Sequence, residues 1–256
     1  MGLILGLMGG GGSILSLPIL IYGFDIPAGV ASGYSLFIVG FTALFSTLIY
    51  AFKKQINWKM GLLFSIPALV ATFITRKFIM PMLPDTILSF ANFTLSKNLL
   101  ILTVFVITML LSGYSMIRKD SPKTNTKKIT KKIKLTEVVV KSFGIGTLTA
   151  FIGAGGGFLI VPALIFLLSL DIKTATATSL LVISISSLFG FLAEVSSTTI
   201  QWNLLLTLLL IGLIGNILGI FFNKFISGQK LKQSFGYFTL LVAIFITVQE
   251  TSKILN

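Results

Sequence analysis

Two residue types are missing from this 256-residue chain and acids are scarce: it has no Cys, no His and only seven Asp and Glu residues. Without Cys there is no disulfide and no thiolate nucleophile, and without His there is no imidazole for acid–base catalysis. Metal sites built on Cys and His are excluded as well. All seven acids lie near the ends of apolar runs, so no carboxylate is placed to relay protons in mid-membrane. These absences predict a protein that is not an enzyme, with no catalytic residues, metal or cofactor.

Apolar length is what the chain has in excess. Hydrophobic residues make up 55% of it, charged residues only 11%, and the mean hydropathy is +1.01. A helix needs about 20 apolar residues to cross the hydrocarbon core of a bilayer. Eight runs approach or exceed that length: Gly2–Tyr22, Ala28–Phe52, Met60–Ile79, Asn98–Ile117, Val138–Leu170, Thr174–Val195, Leu204–Ile226 and Phe235–Gln249. The composition therefore predicts an all-α, polytopic transmembrane bundle of about eight segments in a lipid bilayer.

The net charge of +13 is a topology signal, because the Lys and Arg residues lie between apolar runs and not on a soluble face. We therefore expect no nucleic-acid partner. The densest cluster, residues 118–134, carries eight basic residues against one Asp. Short basic loops stay in the cytoplasm, so this linker is predicted to be cytoplasmic and to separate a first membrane repeat, 1–117, from a second, 135–256. A lipid-binding or partner-binding role for the linker is the alternative.

The two halves align with each other at a constant offset of 144 residues. Leu and Ile matches carry little weight in so apolar a chain. The only two Trp residues, Trp58 and Trp202, nevertheless fall in this register, as do Pro18 and Pro162. An internal duplication is the economical explanation. Both Trp residues are read as anchors at the membrane interface.

Each half opens on glycines inside an apolar run: GGGGS at Gly9–Ser13 and GAGGG at Gly153–Gly157. An interior Gly costs a helix roughly 1 kcal/mol relative to Ala, so we predict that the first helix of each half is broken. Unwound backbone survives in a bilayer only where protein or water satisfies it, and the amides that start the next half-helix attract anions. Replacing these glycines by Ala is then expected to preserve stability while weakening anion binding. The alternative is that glycines allow close helix packing, as expected for Gly215 and Gly219.

Hydroxyl groups follow each break. The segment SGYSL begins at Ser32 and TATSL begins at Thr176, and these hydroxyls can donate hydrogen bonds to an oxyanion. Alternatively they bond within their own helix or across a helix interface, and the same choice applies to Asn216. The predicted substrate-binding residues are Gly11, Gly12, Ser13, Ser35, Gly155, Gly156, Gly157 and Ser179.

Three features together resemble the sulfite exporter TauE/SafE family: Gly-X-Gly-Gly with a Pro six residues on, then SGYSL or TATSL, then a loop ending in INW or IQW. The resemblance covers nearly the whole chain in two copies. It implies a bacterial inner-membrane transporter of sulfite, organosulfonates or related small anions, with about eight spans. An anion channel and a membrane assembly protein are the alternatives, and the anion and the oligomeric state stay open. Because one copy reads GGGGS and the other GAGGG, the two sites need not be equivalent.

Two orientations of the halves are possible. Eight full spans make the halves parallel and leave 13 of the 20 Lys and Arg residues inside. If the glycine break turns Val138–Leu170 into a re-entrant hairpin, the second half inverts and 16 lie inside. The charge rule favours inversion, whereas the resemblance favours eight full spans. In both arrangements Arg76 and Lys77 count as loop cations on the outer side.

Overall fold

The computed structural model describes residues 1–90, 93–118, 135–153, 155–194 and 200–255, so the predicted linker lies outside the described residues apart from its first residue. The described chain is helical apart from one hairpin and the connecting turns and loops. Its elements are α1 Gly2–Met8, α2 Ser13–Pro18 with a π-helical turn Ile19–Gly23, α3 Ala28–Phe52, α4 Trp58–Ile74 with a π-helical turn Thr75–Ile79, α5 Met80–Met82, β1 Thr86–Phe90, β2 Phe93–Ser96, α6 Lys97–Ile117, α7 Leu135–Ile152, α8 Gly157–Leu168, α9 Ile172–Glu194, α10 Trp202–Asn223 and α11 Gly228–Leu255. Strands β1 and β2 pair antiparallel.

Seven helical segments of the described chain are long and apolar enough to cross a membrane: α3, the continuous stretch Trp58–Met82, α6, α7, α9, α10 and α11. Two shorter apolar helices, Ser13–Gly23 and Gly157–Leu168, follow the glycine runs. The prediction of a polytopic helical bundle with broken first helices is confirmed. The chain is a multi-pass membrane protein.

Glycine conformation ends the first helix of each half. Gly9 closes α1 with φ 74°, and Gly153 follows α7 with φ 77°. Their N–H groups bond back to the carbonyls of Leu5 at 2.8 Å and Thr149 at 2.9 Å. A left-handed residue cannot continue a right-handed helix, and glycine adopts that conformation without the Cβ penalty. Both helix breaks therefore have a local cause that the sequence predicted.

Helices α3 and α9 form the core and run antiparallel. A Cβ atom on Gly40 would lie 2.9 Å from the Leu188 side chain, and one on Gly190 would lie 3.3 Å from Leu36. Residue numbers thus fall along α3 as they rise along α9. Helices α6 and α11 are antiparallel in the same sense. Because the starts of α3 and α9 are 144 residues apart, the two halves run in opposite directions.

The first helix of the chain is parallel to α3. A Cβ atom on Gly2 would overlap the carbonyl of Gly212, and one on Gly6 would overlap that of Asn216, so α1 and α10 point the same way. Helix α10 is parallel to α3. A Cβ atom on Gly212 would lie 3.7 Å from Thr42 Oγ1, and four residues later the Asn216 amide donates to Ser46 Oγ at 2.6 Å. With α1 and α3 pointing the same way, the segment between them carries the chain back.

The second half repeats this arrangement. Helix α7 packs parallel to α4, with Gly146 against Ala68 and Gly153 against Arg76. Helix α4 is also parallel to α9, so α8 must return the chain between α7 and α9. Both broken segments are therefore re-entrant hairpins, because glycines with positive φ reverse the chain. The sequence alone leaves open whether these segments cross the membrane fully. The inverted arrangement, which the charge rule favoured, is the one that the helices adopt.

Three pairs of helices start at equal spacing, and the internal duplication stays a prediction. Helices α2 and α8, α3 and α9, and α4 and α10 begin 144 residues apart. Two hydrogen bonds also match at this offset: Asn57 N–H donates to Thr178 Oγ1 at 3.0 Å, and Gln201 N–H donates to the Tyr34 hydroxyl at 2.7 Å. Each bond ties the loop before α4 or α10 to the first turns of the core helix in the opposite half.

Candidate functional site

The two re-entrant turns touch each other inside the bundle. A Cβ atom on Gly10 would overlap the backbone of Gly157, and a Cβ atom on Gly157 would overlap the backbone of Gly10. Bare backbone can approach this closely and a side chain cannot. The contact brings the predicted glycines of both halves to one place, beside the antiparallel core helices α3 and α9.

The second turn places the first amides of a helix next to the glycine run. Gly155 and Gly156 both have φ 68°. The N–H groups of Leu159 and Ile160 bond to the Gly156 carbonyl at 2.9 and 3.0 Å. The amides of Gly157 and the residue after it precede these first helical bonds, so they form the positive end of the 12-residue helix α8.

The first turn is closed on itself. The N–H groups of Ser13, Ile14 and Leu15 each bond at 3.3 Å to a carbonyl three residues earlier, within Gly10–Gly12. The Ser13 hydroxyl donates to the Gly10 carbonyl at 2.7 Å. Donors at the first turn are therefore occupied locally.

Both predicted serines are fully buried and already hydrogen-bonded. Ser35 Oγ lies 2.5 Å from Ser16 Oγ, and the Ser16 proton goes to the Ser13 carbonyl at 2.7 Å, so Ser35 is the donor of that pair. Ser179 Oγ donates to the Thr176 carbonyl of its own helix at 2.8 Å. Ser35 thus joins α3 to the helix that follows the first turn, while Ser179 stays on α9.

Asn216 is the other polar residue with two interpretations. It is fully buried, and its amide donates to the Thr42 carbonyl at 2.9 Å and to Ser46 Oγ at 2.6 Å. Both acceptors lie on α3. These bonds favour the interpretation that Asn216 joins α10 to α3.

Sequence reasoning missed a buried cation at the second turn. Arg76 is 2% exposed and lies in the π-helical turn of the third predicted segment. Its Nη1 donates to Ser32 Oγ at 2.8 Å, and its Nη2 occupies the space where a Cβ atom of Gly153 would stand. The interpretation of Arg76 as an outer loop cation is wrong. Lys232, also buried in the described chain, lies 5.5 Å from the Phe166 ring near the far end of α8.

The first turn has the same surroundings without this cation. Gly9 lies against Thr176, whose Cγ2 would be 2.6 Å from a Cβ atom added to Gly9. Gly153 lies against Ser32 in the same way, and both residues of this pair match the first pair at the 144-residue offset. The position 144 residues after the arginine is Ile220, which is buried at 5% exposure. Of these two matched positions, only the one at the second turn carries a positive charge.

A hydroxyl at the second turn was missed as well. Ser187 of α9 is 1% exposed, and its Oγ lies 3.2 Å from the place where a Cβ atom of Gly155 would be. Its hydroxyl has no hydrogen-bond partner among the residues that the structure describes. A buried donor thus faces the bare backbone of this turn.

The space at the first turn is small. A cavity of about 10 Å³ lies between Gly12, Val39 and Thr42. This is room for at most one water molecule, so a polyatomic anion does not fit there in this conformation.

Comparison with known proteins finds a transporter family and several relatives. The family described as "Sulfite exporter TauE/SafE" matches residues 1–246. A "Probable membrane transporter protein" of Xylella fastidiosa (strain Temecula1) is 29% identical over 253 residues, covering 96% of this chain and 90% of the relative. The "Probable membrane transporter protein YunE" of Bacillus subtilis (strain 168) is 27% identical, with 85% and 83% covered. The "Probable membrane transporter protein YdhB" of the same strain is 26% identical, with 91% of each covered. No solved structure matches the chain significantly. From the match over nearly its full length, the chain belongs to the sulfite exporter TauE/SafE family of membrane transporters.

Proposed function

We propose that the protein transports a small oxyanion, of the class of sulfite or an organosulfonate, by alternating access. The observation that carries this proposal is the contact of the two re-entrant turns at Gly10 and Gly157, contributed by halves of opposite direction. Broken helices with backbone donors near the middle of a bundle, built from inverted halves, are a recurrent way to bind a substrate in secondary transporters.

The donors near this contact suit a ligand that must be released again. The helix-start amides of Gly157 and Phe158 are neutral, as are the hydroxyls of Ser35 and Ser179. A serine proton can rotate from a protein acceptor to a bound anion, because a hydrogen bond to a charged acceptor is the stronger of the two. Each such bond contributes about 1.5 to 3 kcal/mol net, so a few of them hold an anion and still let it go.

The inverted halves supply a route for exchange between the two sides. The matched bonds from Asn57 to Thr178 and from Gln201 to Tyr34 lie at opposite ends of the core helices. If one end opens while the other stays bonded, the turns face one side at a time. The small cavity at the first turn, about 10 Å³, is consistent with a closed state between the two.

The test is flux into liposomes that contain the purified protein. Sulfite, methanesulfonate and acetate serve as probes, and we expect saturable uptake of at least one sulfur oxyanion with counterflow. Flux that rises without saturation would indicate a channel. If no probe moves and a polypeptide co-purifies, the assembly-protein interpretation replaces transport.

A matched pair of variants ties the flux to the turns. Gly157→Ala would force a methyl group into the backbone of Gly10, whereas Gly144→Ala in α7 meets no atom within 4 Å. We expect the first change to abolish flux and the second to leave it unchanged. Equal flux from both variants would show that transport does not depend on the contact between the two turns.

A further inference from the structure

We infer that Arg76 provides the fixed positive charge for the transported anion, so that each chain binds one oxyanion at the second turn only. The inference rests on the proposed transport function and adds to it the residue that meets the charge. Its basis is the burial of the guanidinium, its contact with Ser32 and its position against Gly153.

Burial of this cation requires a reason. Arg76 lies at 2% exposure within the continuous segment Trp58–Met82, one of the membrane-crossing helices. Ionisable residues inside membrane helices are costly to insert, and they commonly mark the paths of ions and substrates. Lys77, the next residue, is exposed and shows that the helix can carry a cation there without burying it.

The guanidinium lies against a place kept free of side chains. Any residue other than glycine at position 153 would put its Cβ atom where Nη2 stands, and the φ of 77° also disfavours a side chain. The Ser32 hydroxyl accepts a hydrogen bond from Nη1 at 2.8 Å and so restrains this end of the guanidinium. The charged group is thereby oriented at the start of the second turn.

The same turn carries two further kinds of donor. The hydroxyl of Ser187 faces Gly155 and has no partner among the described residues, and the first amides of α8 follow at Gly157. A guanidinium presents five N–H donors in a plane and matches the spacing of two oxygens on one centre. The ligand class that suits these donors is a compact oxyanion with at least two oxygens. A halide has a single acceptor atom and so does not match the spacing of the two N–H groups.

The first turn lacks this set, which limits binding to one site in each chain. Its glycine meets Thr176 in place of Ser32, and the position that matches the arginine is Ile220. The N–H groups of Ser13, Ile14 and Leu15 are bonded within the turn. We assign to the first turn the role of backbone packing against Gly157.

The experiment compares Arg76→Gln, Arg76→Lys and the control Lys77→Gln in liposomes. Wild-type protein is first tested for saturable methanesulfonate flux, and its absence would reject the proposed function itself. With that flux in hand, Arg76→Gln should raise KM about tenfold or more, because charge-assisted bonds are lost. Arg76→Lys should fall between Arg76→Gln and wild type, and Lys77→Gln should match wild type. An unchanged KM in Arg76→Gln would overturn the inference and leave the transport proposal standing.

Two further measurements apply if Arg76→Gln fails to insert. Ser32→Ala keeps the charge of Arg76 but removes the hydrogen bond that restrains its guanidinium. The KM should therefore rise severalfold while the maximal flux per folded molecule is unchanged. Excess chloride should compete poorly with methanesulfonate in wild-type protein. An unchanged KM in Ser32→Ala, or chloride competing as well as an oxyanion, would contradict the binding role of the guanidinium.

Discussion

Gly156→Ala separates two explanations of the glycine runs. From helix propensity alone, Ala at this position is expected to preserve or raise stability. The structure predicts the opposite, because Gly156 has φ 68° and an added Cβ atom would overlap the side chain of Thr149. Gly156 is also the N-cap of α8 and not an interior helical residue, so little propensity is regained.

The size of the effect follows from these two contributions. A non-glycine residue in the left-handed region costs roughly 1 to 2 kcal/mol. Forcing a methyl group into packed side chains costs roughly 1 to 3 kcal/mol more. We therefore expect Gly156→Ala to be destabilised by about 2 to 5 kcal/mol.

Gly11→Ala is the control at the other turn, chosen because its backbone and surroundings accept a methyl group. Gly11 is not among the glycines with positive φ, and the nearest atoms to an added Cβ are Met8 Cβ at 3.1 Å and the Met8 sulfur and Phe235 ring carbon at 3.3 Å. The Met8 sulfur and the Phe235 ring lie at the ends of side chains that can shift, and Met8 Cβ has to give way by only a few tenths of an ångström. Its stability should stay within about 1 kcal/mol of wild type. Unfolding of both variants in detergent is the assay, and a Gly156→Ala protein that melts with or above wild type would refute this reasoning.

Three other predictions address topology, the serines and the amide. A tag within Lys123–Lys132 and a tag at Ser227 should both be protected from reagents outside intact cells, since inverted halves put both loops in the cytoplasm; labelling of Ser227 alone would restore parallel halves. Ser35→Ala and Ser179→Ala should each reduce anion flux with insertion intact, and normal flux in both and in the double variant would assign them to helix packing. Asn216→Leu should lose about 1 kcal/mol of stability through its bonds to α3 with KM unchanged; a raised KM in flux assays would place it in the substrate path.

Local causes were predictable from the sequence. The broken helices follow from the low helix propensity of consecutive glycines, and both breaks stand where the glycines do. The matched starts at Trp58 and Trp202 also follow from the 144-residue offset. The direction of the chain after each break was open, because propensity predicts a break and not the left-handed φ that reverses it.

Burial by distant residues could not be predicted. Arg76 lies inside the predicted run Met60–Ile79 but was counted as a loop cation, because hydropathy cannot tell whether the end of a run is exposed or is buried by other helices. The position of Arg76 inside an apolar run was the only sign in the sequence that it is buried. Gly155 contacts Val39 and Ser187, which are far from it in the sequence. The effect of Gly155→Ala therefore cannot be predicted from the residues next to Gly155.

The crossed packing of α1 on α10 and of α7 on α4 has a consequence for biosynthesis. In helix α1, Gly2 contacts Gly212, which lies about 210 residues later in the chain. This contact can form only after α10 has been synthesised, so α1 is among the last parts of the protein to reach its final packing. A chain that stops before α10 would therefore leave its first glycine turn unassembled, and quality-control proteases would have an early segment to attack.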